Sequence, residues 1–140
     1  MIKKIYSKIN PSVLLHIIHT NDLNQNSIRE LKRHELTEPN LSLQAGLFEI
    51  PKNTDFKAHK HNPQDRKTTQ THEAILVVKG SIELSIFDID NSFVESHTLD
   101  EGDCSFIING GHKIKTLEDT HLFEFKNGPY NGPDKDKSLI

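Results

Sequence analysis

The sequence predicts an all-β fold, a sandwich or barrel with a short helix near its N-terminus. Three observations predict it. Short apolar or alternating runs recur at regular spacing, separated by Gly, Pro, Asn and Asp. The dense run Ala74-Ile75-Leu76-Val77-Val78 argues for a folded core despite an apolar content of only 34%. A capping-box pattern, Ser27-Ile28-Arg29-Glu30, supplies the helix start.

In order, residues 2–9 and 13–18 read as strands, split by Asn10-Pro11. The helix would begin at Ser27, run through about His34 and end before Pro39. Residues 41–50 form a strand closed by Pro51, and residues 56–61 form another. Residues 62–70 are polar, contain Pro63 and read as a loop. Residues 72–78 and 82–87 flank the bend Lys79-Gly80-Ser81. A hairpin turn over residues 88–91 leads to a return strand at 93–99. Strands at 104–108, 112–116 and 121–126 complete the series. Residues 128–133 are turn-rich, and residues 134–137 form a charged tail.

At 140 residues the chain is long enough for one domain with its own core. We expect residues 1–140 to form a single domain, with its core at about 41–126, N-terminal strands and helix at 1–40 and a tail at 127–140. The net charge of −3 adds little of the self-repulsion that favours disorder. No basic helix or stacking platform points to nucleic acid. No run approaches the ~20 apolar residues of a membrane span. The single cysteine, Cys104, excludes an internal disulfide and fits a reducing compartment. The apolar run at 13–18 is too short for a signal-peptide core, so the expected location is the cytoplasm.

Nine histidines are the oddity of the composition. In a strand, side chains alternate faces, so His59 and His61 would share one. Two same-face histidines, a carboxylate at Glu73 and a distant His112 make the ligand set of an open mononuclear metal site. His72 and Glu73 are adjacent and would point to opposite faces. Both faces of that strand are apolar, so His72 stays open as an alternative third ligand. His16 and His19 would point to opposite faces, and they, His34, His97 and His121 read as surface or satisfied histidines. Arg66, in the polar loop, is a candidate contact for an anionic substrate, with a solvated charge as the plainer reading. Gln44 and Phe48 lie on one strand face and are candidate pocket-lining residues, with core or rim packing as the plainer reading. Cys104 reads as a small core residue beside Phe106 and Ile108.

Glu73, six residues and Gly80, with His59-X-His61 upstream, resembles the first motif of the cupins. Gly102-Asp103, a strand and Asn109-Gly110-Gly111-His112 resembles the second. The similarity covers about residues 41–126 and implies a double-stranded β-helix jelly roll with one divalent metal on His59, His61, Glu73 and His112. Two features depart from the pattern. Eleven residues separate His61 from Glu73, and the second motif lacks its proline and is one residue short. Asn109-Gly-Gly-His112, Lys126-Asn-Gly-Pro-Tyr130 and Asp136-Lys137 are similar to a cupin subgroup found among surface-sugar and nucleotide-sugar genes.

Iron, manganese, nickel, cobalt and zinc all suit these ligand types. The resemblance implies an enzyme acting on a small oxygen-rich metabolite such as a sugar derivative, by isomerisation or epimerisation or by iron-dependent dioxygenation. Glu124 is the nearby carboxylate that could serve as a base. The alternatives are a non-catalytic ligand-binding or sensor cupin and a metal-free structural one. Unpaired N-terminal strands favour a homodimer.

Overall fold

In the computed structural model, which describes residues 1–21 and 27–140, β-strands dominate. They are β1 (Ile2–Tyr6), β2 (Leu14–His19), β3 (Lys32–Glu35), β4 (Gly46–Glu49), β5 (Glu73–Lys79), β6 (Ile82–Phe87), β7 (Phe93–Leu99), β8 (Cys104–Ile107), β9 (Gly111–Thr116) and β10 (His121–Lys126). A single turn of helix, α1 (Pro133–Asp136), follows them. One sheet has the order β1-β2-β8-β5-β10, a second has β7-β6-β9, and β3 pairs with β4. All the pairings are antiparallel.

The two larger sheets share one buried cluster. Ile5, Leu15, Ile18, Ile75, Val77 and Ile107 of the first sheet and its connections meet Ile82, Leu84, Ile86, Val94 and Leu99 of the second. The fold is thus a β-sandwich. Ile82, Leu84 and Ile86 have no exposed surface, and burying each contributes about 1.5–3 kcal/mol. That makes β6 the anchor of the smaller sheet. The opposite face of the five-stranded sheet carries Ile17, Ala74, Phe106 and Ile108 under Leu36, Leu41, Leu43 and Leu47. β5 is therefore covered on both faces, which is why its apolar run does not alternate.

Gly80 links β5 to β6 with φ +90°, and an added Cβ would lie 2.6 Å from the Asp119 carbonyl oxygen. Only glycine fits that turn without strain. Gly110 has φ +71° before β9 and aims the start of that strand.

Three expectations are corrected. No helix starts at Ser27; Lys32–Glu35 is instead strand β3, paired with β4. Ile28 and Leu31 are exposed, so a helix there would bury no apolar face. A capping box contributes only about 1 kcal/mol. The extended strand sets Arg33 and Glu35 on one face as an ion pair, and pairing with β4 adds the Arg33 guanidinium over Phe48 and the Leu36 amide bonded to the Ala45 carbonyl. Residues 56–61 are exposed and join no sheet. Among the described residues they share no ladder with any strand. Residues 41–49 do alternate half-buried and exposed or nearly so, but only Gly46–Glu49 enters a ladder. Among the described residues, no helix is long and apolar enough to cross a membrane.

Candidate functional site

Strand register builds the site. Ile107 of β8 stands opposite both His16 of β2 and Glu73 of β5, and Glu73 stands opposite Lys126 of β10. Opposed residues share a face, and Ile107 belongs to the inner cluster. His16, Glu73 and Lys126 therefore face into the sandwich. The next inward row is Ile18, Ser105, Ile75 and Glu124. On the facing sheet, His112 of β9 pairs with the inward Ile86 and points back across the gap.

Glu73 Oε1 and His112 Nε2 meet at 3.5 Å, with the carboxylate side chain 9% and the imidazole 27% exposed. An ion pair would lower the acid and raise the base. Both instead move the other way. Burial, then the neighbouring Glu124, pushes the Glu73 carboxyl up, against the opposing pull of Lys126 and Lys137. Burial, then Lys137, holds the His112 imidazole down. The contact is thus a polar one at the outer limit of hydrogen-bond length, in surroundings whose burial disfavours the charged form of each group.

Around this pair lies a charged rim. Lys126 Nζ is 2.9 Å from Glu124 Oε1 and 3.1 Å from Asp136 Oδ2, and sits 4.7 Å from the centre of the Tyr130 ring. The hydrogen bond to Glu124 is the largest influence keeping that ammonium charged. Asp136 comes from α1, so the tail returns to the site. Farther along it, Ile140 packs so closely on Gly111 that an added Cβ would lie 2.5 Å from its Cδ1. An open cavity of about 730 Å³ adjoins His112, walled by Phe87, Ile89, Lys137 and Ile140.

Among the expected ligands, Glu73 and His112 come together. His59 and His61 do not join them through a sheet: they sit on the exposed, unpaired stretch, their rings edge-on with centres 5.4 Å apart. Among the described residues, no three His, Cys, Asp or Glu side chains are grouped to hold a metal ion. The four-residue set is therefore not assembled in this arrangement. His72 points to the opposite face from Glu73, where its Nδ1 lies 2.8 Å from the Ser42 hydroxyl.

Glu124 does reach the inner face at the rim. Gln44 and Arg66 line a different depression, of about 910 Å³, on the His72 side. The Gln44 amide donates to the carbonyls of Glu38 and Leu41, and Phe48 is half-exposed beneath Arg33. His19 and Cys104 face away from His16, as alternation requires. Burial lifts the Cys104 thiol to about 11, which makes it inert at neutral pH.

His16 was not legible as a site residue. It has no exposed surface and its ring centre lies 6.4 Å from that of His112. The available signal was one polar residue inside the apolar run 13–18. Its inward direction follows from pairing with β8, a contact far away in the sequence. Comparison with protein-family models, with curated proteins and with solved structures returned no match to this chain.

Proposed function

We propose that this protein binds a small oxygen-rich metabolite at the open end of the sandwich and moves a proton on it through Glu73 and His112. The observation that carries the reading is the 3.5 Å contact between a carboxyl that burial pushes up and an imidazole that burial holds down, with His112 on the wall of a cavity large enough for a monosaccharide-sized ligand. Such a pair offers a proton donor and an acceptor together. In an enolisation, the His112 lone pair takes the proton from the carbon next to a carbonyl. Glu73 gives its proton to the carbonyl oxygen. Return of a proton to the other carbon, or to the other face, gives an isomer or epimer, with no net change in protons.

The sugar-type substrate class comes from the resemblance to surface-sugar cupins. The test is turnover of a panel of aldoses, ketoses and their phosphates. Glu73→Gln and His112→Asn, with unchanged circular dichroism, should each lose about 10²–10⁴-fold in rate. Turnover that survives both substitutions would rule the reading out. Ligand binding without any turnover would favour the non-catalytic binding alternative.

A metal-binding cupin is the second reading, and one observation favours it. β9, which carries His112, is an edge strand with an unpaired side, and the His59 and His61 rings stay side by side. Pairing of residues 56–61 along that edge would bring His59 and His61 toward Glu73 and His112. Elemental analysis and a Zn²⁺ titration of wild type against the double variant His59→Ala, His61→Ala test it. Stoichiometric metal lost in the variant supports this reading; equal binding by both proteins refutes it.

A further inference from the structure

The open cavity of about 910 Å³ on the His72 side is separate from the Glu73–His112 site. Leu41 and Ile108, on its wall, belong to the cluster that covers the outer face of the five-stranded sheet. Glu73 and His112 meet on the inner face, so the sheet stands between the two.

Charge marks this cavity. Arg66, Lys67 and His72 line it, and among the described residues no Asp or Glu does. The chain has 20 acidic residues against 17 lysines and arginines, so an acid-free basic wall departs from its balance. Other cations have carboxylate partners, as Lys3 has Glu95 and Lys126 has Glu124 and Asp136. Among the described residues, the Arg66 and Lys67 side chains enter no ion pair and no hydrogen bond.

The loop that carries them is tied to the sheet. Gln70 Nε2 donates to the Ile108 carbonyl at 2.8 Å. The Gln70 carbonyl accepts from Asn127 Nδ2 at 3.1 Å and from the Thr68 hydroxyl at 3.0 Å. Two cations without partners match a dianion better than a single carboxylate, and a phosphate monoester carries about −1.5 to −2 at neutral pH. The planar guanidinium can give two N–H donors to two phosphoryl oxygens, while lysine adds a point charge.

We propose that this outer cavity is a second binding site and takes a phosphoryl group, with Arg66 and Lys67 as its charged contacts. Free phosphate and the phosphoryl end of a small metabolite share that chemistry.

Calorimetric titration at about 0.15 M salt, where diffuse attraction is screened, tests the proposal with inorganic phosphate and glucose 6-phosphate as probes. Saturable binding is expected, about 10–100-fold weaker in the double variant Arg66→Gln, Lys67→Gln. Both positions are exposed, so the variant keeps its core. The double variant Lys79→Gln, Lys115→Gln removes the same charge from residues outside the cavity and should bind as wild type does. Tighter binding of the ester than of phosphate assigns the site to a phosphorylated metabolite. Equal or weaker binding assigns it to free phosphate. No saturable binding of either probe overturns the proposal. Equal loss in the two double variants overturns it too, leaving surface charge only. Glu73→Gln should bind both probes unchanged, so this site and the proton-transfer reading can fail separately. Loss of binding in Glu73→Gln would put the phosphate on the inner face and overturn the outer site.

Discussion

Glu73 and His112 touch across the two sheets of the sandwich, 3.5 Å from Oε1 to Nε2, one from the five-stranded sheet and one from the three-stranded. Their burial sets the sign of the pH response. The folded carboxyl is raised above its ordinary 4.5. Its contribution to stability is present below that value and is lost as pH rises through the folded value. Glu73→Gln cannot ionise and escapes the loss. Thermal denaturation from pH 4 to 8 should show wild-type Tm falling relative to the variant across that rise.

His16 gives the opposite limb. Its folded pKa is depressed from 6.5 to about 3, so its contribution is present above 6.5 and lost as pH falls toward 3. His112 is lowered as well, so the useful quantity is a difference between proteins. Tm measured from pH 7 down to 3.5 should drop less steeply in His16→Phe than in wild type.

Lys126 pulls the Glu73 carboxyl down, against burial and Glu124. Lys126→Met removes that pull and leaves Glu124 and Asp136 without their shared cation. The Glu73 titration, followed by carboxyl ¹³C NMR, should move to higher pH in the variant. A midpoint that stays put or falls would mean the rim rearranges.

Gly80 has a backbone that only glycine adopts freely, and the Asp119 carbonyl blocks a side chain. Gly80→Ala should cost about 1–3 kcal/mol, read from urea unfolding, with secondary structure retained.

Much of the β series was legible because its signals are local. The strands at 82–87, 93–99 and 121–126 match their expected bounds, since alternation and flanking turn residues both act over a few positions. The bend Lys79-Gly80-Ser81 between residues 72–78 and 82–87 was legible for the same reason: a glycine between two apolar runs marks a turn, and Gly80 has φ +90°. Residues 27–34 misled because the capping box is also a local signal. Its small stabilisation lost to strand pairing with residues 46–49, which a local pattern does not contain.

Sequence alone determined the all-β class, the strand-turn rhythm from residue 72 onward and the histidine and carboxylate types available to a site. Which of those residues meet was decided by tertiary structure. A period-two strand with apolar residues on both faces does not say which face is inward, so Glu73 and His72 were equivalent until Ser42 took one and His112 met the other. His16 joined the inner row because β2 pairs with β8, while His59 and His61 lie on a stretch with no ladder partner. Those outcomes depend on contacts between distant segments, whose free energy comes from packing two sheets and not from any local run.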